Sequence, residues 1–319
     1  MARLIARRLL LSIFTLFILL IAVFALTRVF PSDIARQLAG PFAPQERVDR
    51  LNDELGLLDP LPEQFWRLLK DVFTFGSGDS FSQPGVSVRE LIGPALWNSA
   101  KLVGLSMLIF LPLSIVGGIL AARRKDSRLD RGIVSFGLAS ASIPDFVSGV
   151  LLQFFIGVQL GWLPATSSSV PDDAGFFTSL RFILLPALAI VLVYFGYIAR
   201  ITRAGAIGVF EADYTRTAYM KGLKPIEVIR KHVLRNALQP TVAVTGTQMG
   251  YLFGGLVGLE TVFNYPGLGG LIFKAAKAPD LPLLQAGVLT VAVIFMLATL
   301  AADLLIAWMN PRARTATEA

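Results

Sequence analysis

The chain has no cysteine, one histidine and little charge. Zero cysteines exclude disulfides, thiolate metal sites, haem attachment and thiol catalysis together. One histidine, His232, leaves no histidine-based zinc site. Charged residues make up 16% of the 319 positions, against about 25% in a soluble domain. No G-x-x-x-x-G-K-[ST] occurs, so the chain has no P-loop for ATP. A nucleophile–base constellation is also missing. His232 sits among Arg230, Lys231 and Arg235, and Asp145 and Glu211 are isolated in sequence. No covalent chemistry, catalytic residue, metal site or cofactor is expected in this chain.

What is present is apolar surface. Hydrophobic residues reach 54% and the mean hydropathy is +0.65. That is too much apolar area for a water-facing surface of this size, so the bilayer must be the solvent for much of it. The net charge of +7 invites a nucleic-acid reading. The basic residues, however, fall in short runs between apolar segments and form no stripe with interleaved aromatics, so no nucleic acid is expected.

Six apolar segments run over 9–29, 99–121, 132–157, 182–201, 238–262 and 284–308. Each is near or above the roughly 20 residues that cross a ~30 Å hydrocarbon core. Backbone groups in lipid must be satisfied internally, so the segments are helices. The expected fold class is an all-α polytopic membrane protein with six transmembrane helices. The first segment has the basic flank of a signal peptide in Arg3, Arg7 and Arg8. Its apolar run Leu9–Leu26 is 18 residues, longer than a secretory core of about 7–15, and no A-x-A site follows. A retained helix is expected.

Orientation follows from the placement of Lys and Arg. Three lie at the N-terminus, five in 122–131, eight in 200–237 and two at the C-terminus (Arg312, Arg314). The short loops on the other side hold Arg181, Lys274 and Lys277. Both termini are therefore expected on the cytoplasmic side. Residues 1–29 form the N-terminus and first helix, 30–98 an extracytoplasmic segment, and 99–319 a five-helix core with a cytoplasmic loop at 202–237. In the outer segment, Phe65, Trp66, Leu68, Leu69 and Val72 recur at helical spacing over Leu61–Phe75. That stretch is expected to lie on the membrane surface or to cap the bundle. Trp162 is placed as an interface anchor.

The loop 202–237 reads as two short helices broken at Gly222, with Pro225 suited to a first helical turn and Pro240 opening the fifth span. Ile226, Val228, Ile229, Val233, Leu234 and Leu238 give the second an apolar face. Such a pair forms either a docking surface or a hairpin whose basic residues meet lipid headgroups.

The run EADYTRTAYMKGLKPIEVIRKHVLRNALQP resembles the coupling loop of ABC-importer permeases, in the dipeptide/oligopeptide/nickel branch. The general pattern of that loop is Glu-Ala-Ala, three residues, then Gly. Ala218 and Gly222 keep its spacing, whereas Arg216, Thr217 and Arg235 replace its Glu, first Ala and final Pro. The branch pattern Asp-Tyr-x-Arg-Thr-Ala-x-x-Lys-Gly-Leu is matched by Asp213, Tyr214, Arg216, Thr217, Ala218, Lys221, Gly222 and Leu223. Further similarity lies in the first helix, ELGLLDPLPEQFWRLL, GGILAARRKDSRLD, SIPDF, ETVFNYPGLG and DLLIAWMNPR. The resemblance implies a type I ABC-importer permease fold and a multi-pass protein of the bacterial inner membrane. It implies a second homologous permease subunit, two ATPase subunits carrying ATP and Mg, and an extracytoplasmic substrate-binding protein. Residues 211–222, with Glu211 at their start, would transmit ATPase closure into the spans. Peptides are the expected cargo; nickel or another non-peptide solute is the alternative. A secondary transporter and a structural membrane anchor are the readings from other classes.

Inside the membrane, Gly246, Gly250, Gly254 and Gly258 form a slanting stripe of bare backbone. It suits close helix packing, or a wall of the translocation path. Asp145, after Pro144, costs about 2.5–3.5 kcal/mol at that depth and should face protein or water. It either caps backbone freed by Pro144 or contacts a charged substrate. Asp303 is read as a helix-end ion pair. Glu260, Asn264, Pro266 and Gly267 are expected at the outer rim, where by resemblance the binding protein docks.

Overall fold

The computed structural model describes residues 2–29, 34–73, 78–168 and 176–309. The helices are α1 (Ala2–Val29), α2 (Ile34–Ala39), α3 (Gln45–Glu54), α4 (Leu61–Phe73), α5 (Val88–Arg123), α6 (Arg128–Ala141) and α7 (Asp145–Leu152). They continue with α8 (Phe176–Phe210), α9 (Asp213–Met220), α10 (Pro225–Val228), α11 (Leu234–Val262), α12 (Leu268–Lys277) and α13 (Leu281–Met309). A π-helical stretch, Gln153–Gln159, extends α7, and another, Ile229–Val233, joins α10 to α11. Among the described residues no β-strand occurs beyond an isolated Asp79–Ser87 bridge.

Among the described residues, five unbroken helical segments are long and apolar enough to span a bilayer: Leu10–Thr27, Val88–Arg123, Thr178–Phe210, Pro225–Val262 and Leu281–Met309. The third expected span is not one straight helix. Arg128–Ala141 and Asp145–Gln159 meet at 97°, so the described residues hold six spans only if this bent pair counts as one. The cause is local. Pro144 has no N–H and biases Ile143 away from the helical region, and the Ser142 hydroxyl donates to the Leu138 carbonyl at 2.8 Å.

The loop 202–237 also departs from expectation. Its start continues α8 to Phe210, and its second half is the beginning of the fifth spanning helix rather than a separate short one. Pro240 lies inside α11 and does not open it. Proline is tolerated in a spanning helix when neighbours satisfy the freed carbonyl. Between Phe210 and Pro225 only α9 stands apart.

The chain divides into two compact units. The first comprises Met1–Ala6, Ala100–Tyr265 and Ile294–Ala319. Its centre is α8, whose Leu185, Ala187, Ala189, Ile190, Ile198 and Ala199 are fully buried. Helices α6, α7 and α11 pack on α8. Glycines permit the closest approaches. A Cβ on Gly196 of α8 would lie 2.1 Å from the Gly137 Cα of α6. At Gly149 of α7 it would lie 2.7 Å from a Leu259 methyl.

The second unit comprises Arg7–Ser99 and Pro266–Val293. Here the amphipathic α4 packs its apolar face inward, with Phe65, Leu68 and Leu69 against Leu19, Leu20 and Phe24 of α1 and Leu289 of α13. The Phe65 ring meets Phe24 edge-on at 5.3 Å and Phe17 at 6.5 Å. Trp66 stays exposed, and the Val72 side chain lies outside the described residues. Asp280 precedes α13 and is fully buried. Its carboxylate accepts from the Ser80 hydroxyl, the Ser82 hydroxyl (2.7 Å), and the Phe81, Ser82 and Leu283 amides at 3.1–3.3 Å.

Candidate functional site

Helix α9 is short because both ends carry stop signals. Ala212 at its N-cap is extended, and Asp213 puts negative charge in the first turn, where the helix dipole favours it. At the other end Gly222 takes φ 76°. The Gly222 amide donates to the Tyr219 carbonyl at 2.9 Å and the Leu223 amide to the Ala218 carbonyl at 3.3 Å. That pair of bonds is a Schellman stop, for which a left-handed glycine is the usual residue. Gly222 therefore breaks the segment where its spacing predicts. Lys224 and Glu227 then open α10, with Pro225 in the first turn.

One face of α9 is anchored. Thr215 and Ala218, three residues apart, are buried. Ala218 joins a cluster of Ile119 and Ala122 from α5, Ala206 from α8, Val228 from α10, Val233 and Ala237. Leu223 packs against the same cluster. The Thr215 hydroxyl donates to the Val209 carbonyl at 2.7 Å, which satisfies one orphan acceptor at the end of α8. Asn236 Nδ2 donates to the Tyr214 hydroxyl at 3.2 Å. Lys125 Nζ donates to Glu211 Oε1 at 2.9 Å, and Glu211 beside it holds the exposed Lys125 ammonium above the usual lysine value.

The opposite face is open. Asp213, Tyr214, Arg216, Thr217, Tyr219, Met220 and Lys221 are exposed, and Met220 is 73% exposed. The Thr217 hydroxyl only turns back to the Asp213 carbonyl at 2.9 Å. The arrangement is a rigid peg. A buried seam fixes it to the ends of three long helices, and its outward face mixes Tyr, Arg, Lys and Met. The motif residues thus split by role: Ala218, Gly222 and Leu223 hold the peg, while Tyr214, Arg216 and Lys221 are presented by it.

The remaining candidates do not gather at this peg. On α11 the glycine stripe divides. A Cβ at Gly246 would lie 2.4 Å from the Ala302 Cβ, and at Gly250 2.0 Å from Phe295 Cδ2, both on α13. At Gly258 it would lie 3.1 Å from the Phe146 Cβ of α7, while Gly254 has nothing within 4 Å. Asp145 is half-buried in the first turn of α7 and accepts from the Phe146 amide at 2.8 Å. Glu260 is buried at 1% exposure, and Asn264 is exposed at φ 49°. Asp303 is half-buried on α13. In the second unit, Gly267 caps α12, and the Pro266 carbonyl accepts from Asn98 Nδ2 at 2.9 Å. Arg312 and Arg314 lie outside the described residues.

Some structural partners carry no sequence motif. Gln153 Nε2 donates to the Ala165 and Val262 carbonyls at 2.8 and 3.1 Å, tying the loop after the π-helix to the end of α11. Arg203 pairs with Asp130 across 73 residues. Only Ser127-x-x-Asp130 gives a local signal: the Ser127 hydroxyl caps α6 by accepting from the Asp130 amide at 3.2 Å.

Long apolar helices, a bent pair and a short exposed peg between two of the spans define a multi-pass helical membrane protein. The comparisons with known proteins agree. The binding-protein-dependent transport system inner membrane component family matches residues 114–315, and the N-terminal domain of such membrane components matches residues 1–109. A probable peptide ABC transporter permease of Sinorhizobium fredii is 35% identical over 97% of this chain and 98% of its own. A putative peptide transport system permease of Brucella abortus is 36% identical over 98% and 99%. The glutathione transport system permease GsiC of Escherichia coli is 34% identical over 97% of each. The chain belongs to the family of binding-protein-dependent transport system inner membrane components. It is a multi-pass protein of the bacterial inner membrane.

Proposed function

We propose that this chain is one permease subunit of an ATP-driven importer of peptides, and that α9 is the element that seats in an ATPase subunit. The observation that carries the reading is the construction of α9. It is locked on one side into the ends of α5, α8 and α10–α11, and open on the other. A force applied to its exposed face is delivered to three spanning helices at once. Rigid elements of this kind convert a domain movement into helix displacement. The peptide cargo is supported by relatives named for peptide transport and for glutathione transport.

In this reading both termini and α9 lie in the cytoplasm, which the excess of Lys and Arg in those segments supports. ATP and Mg belong to two separate ATPase subunits. A second, homologous permease completes the path, and an extracytoplasmic binding protein brings the substrate. The test is an affinity pull-down of the tagged, detergent-solubilised chain co-expressed with the products of its neighbouring genes. It is run beside a variant carrying Tyr214→Ala and Arg216→Glu, two exposed changes that leave the Thr215–Ala218 seam intact and remove from the anchored side only the Tyr214–Asn236 hydrogen bond. Wild type should bring down an ATPase subunit and a second permease, and the variant should lose the ATPase only. A chain that purifies alone and transports without ATP would overturn the reading in favour of a secondary transporter.

A further inference from the structure

The turn between α5 and α6 is fastened to α8 and to the start of α9 by two ion pairs. Arg203 on α8 donates to both carboxylate oxygens of Asp130 on α6, with Nη2 to Oδ2 at 2.6 Å. The Asp130 side chain is 3% exposed. The Asp126 amide donates to the same Oδ2 at 2.9 Å, and Asp126 holds φ 64°, a left-handed conformation that Asp tolerates better than most residues. One residue earlier, Lys125 meets Glu211, which lies in the two-residue break between α8 and α9. Seven residues along α6 from Asp130, about 10 Å on at helical rise, Gly137 touches Gly196 backbone to backbone. Helix α6 is therefore held to α8 at two heights.

A buried ion pair adds little net stability, because desolvation offsets the attraction. What a bidentate guanidinium–carboxylate contact does fix is geometry. The fork sets the rotation and register of α6 on α8, and the glycine contact brings the two backbones together at a second height. We propose that α6, the α5–α6 turn, the C-terminal part of α8 and α9 form one rigid yoke, with Asp130 and Arg203 as positioning residues that make α6 follow any displacement of α9. The proposal rests on the reading of α9 as the ATPase contact. Since α6 ends at the 97° bend before α7, the yoke delivers its movement at Ser142–Pro144, part-way along the bent pair.

The test uses the assembled transporter in proteoliposomes. The chain has no cysteine, so spin labels at Leu138→Cys on α6 and at Lys224→Cys, exposed two residues past the Gly222 stop of α9 and off its outward face, are the chain's only labelled sites. The interlabel distance is measured nucleotide-free and with ATP and vanadate, and uptake per ATP hydrolysed is measured in the same vesicles. With the native ion pairs intact, the distance should stay within the width of its distribution in both states. Asp130→Asn should let it shift or broaden, keep basal ATP hydrolysis, and lower uptake per ATP by about fivefold or more, the lower end of ordinary coupling effects. Arg203→Lys, which keeps the charge and loses the fork, should fall between. A distance that changes between states with the native pairs overturns the yoke, as does an assembled Asp130→Asn complex with wild-type uptake per ATP. If Asp130→Asn does not assemble, the Arg203→Lys ratio and the unmutated distance decide. Absence of any ATP-driven uptake by the wild-type complex removes the ATPase-contact reading itself, and the yoke with it.

Discussion

Replacing each glycine of the α11 stripe by alanine should give four different results, ordered by what the new methyl group meets. At Gly246 it would sit 2.4 Å from the Ala302 Cβ and 3.3 Å from the Ala298 carbonyl oxygen. Carbon atoms pack at roughly 3.5–4.0 Å, so α11 and α13 must part by about 1 Å or more. Neither neighbour is a long side chain that could swing away. Overpacking of this kind costs about 1–3 kcal/mol, against up to about 1 kcal/mol gained from alanine's better helix propensity. The net loss should be about 1–2 kcal/mol. At Gly250 the methyl group would lie closer still, 2.0 Å from Phe295 Cδ2. That ring is 40% exposed and can rotate aside, but the Phe295 Cβ at 2.9 Å cannot, so Gly250→Ala should also cost stability, though less than Gly246→Ala, whose nearest atom is a fixed methyl group at 2.4 Å. Gly258→Ala meets the Phe146 Cβ at 3.1 Å and needs only a small shift. Gly254→Ala meets nothing within 4 Å and should be neutral or slightly stabilising. The assay is thermal unfolding of the detergent-solubilised chain at one fixed scan rate, since unfolding of such proteins is commonly irreversible. Gly246→Ala should lower the transition by a few degrees, given about 2–4 °C per kcal/mol for chains of ~150–250 residues. The reasoning is refuted if Gly254→Ala costs as much as Gly246→Ala.

Three further outcomes are expected. Ala218→Leu forces a larger side chain into the seam beneath α9, at about 1–3 kcal/mol, and should speed tryptic cleavage at Arg216 and Lys221; an unchanged rate would mean that the seam does not hold α9. Gly222→Ala places a Cβ at φ 76°, at about 1–2 kcal/mol, with Gly222→Asn milder; equal transition temperatures for wild type and both variants would contradict the Schellman stop. Asp280→Ala strands the buried Ser80 hydroxyl and Leu283 amide, at about 1–3 kcal/mol for each buried donor left unsatisfied, and frees the half-buried Phe81 and exposed Ser82 amides to water; hydrogen exchange of those two amides should accelerate, and unchanged exchange would show that other groups hold that loop.

The spanning segments were legible because nearly uninterrupted apolar runs of this length have one solution in lipid. The peg α9 was legible in part: Gly222 and Pro225 mark a stop and a start with known backbone requirements. The continuity of α10 through α11 was not, because Pro240 carries the same local signal whether it opens a helix or lies within one. Pro144 has the same ambiguity, resolved in the opposite sense by a 97° bend. The Asp130–Arg203 pair, the Gln153 ties and the Asp280 clamp join residues 73, 12, 109 and about 200 positions apart. No periodicity encodes such partners; the packing of α6 and α7 on α8, and the approach of the Ser80 loop to α13, create them. The glycine stripe looked uniform in sequence and is not, because α11 passes α13 at Gly246 and Gly250, α7 at Gly258 and nothing at Gly254.

If the exposed face of α9 seats in an ATPase subunit, transport depends on ATP. The most direct measurement is uptake of a labelled peptide mixture into proteoliposomes holding this chain, its co-purified partners and the binding protein, with and without ATP. Uptake should require ATP and be lost when Tyr214→Ala and Arg216→Glu are introduced together. ATP-independent uptake by the chain, or full ATP-driven uptake by that double variant, would contradict that reading.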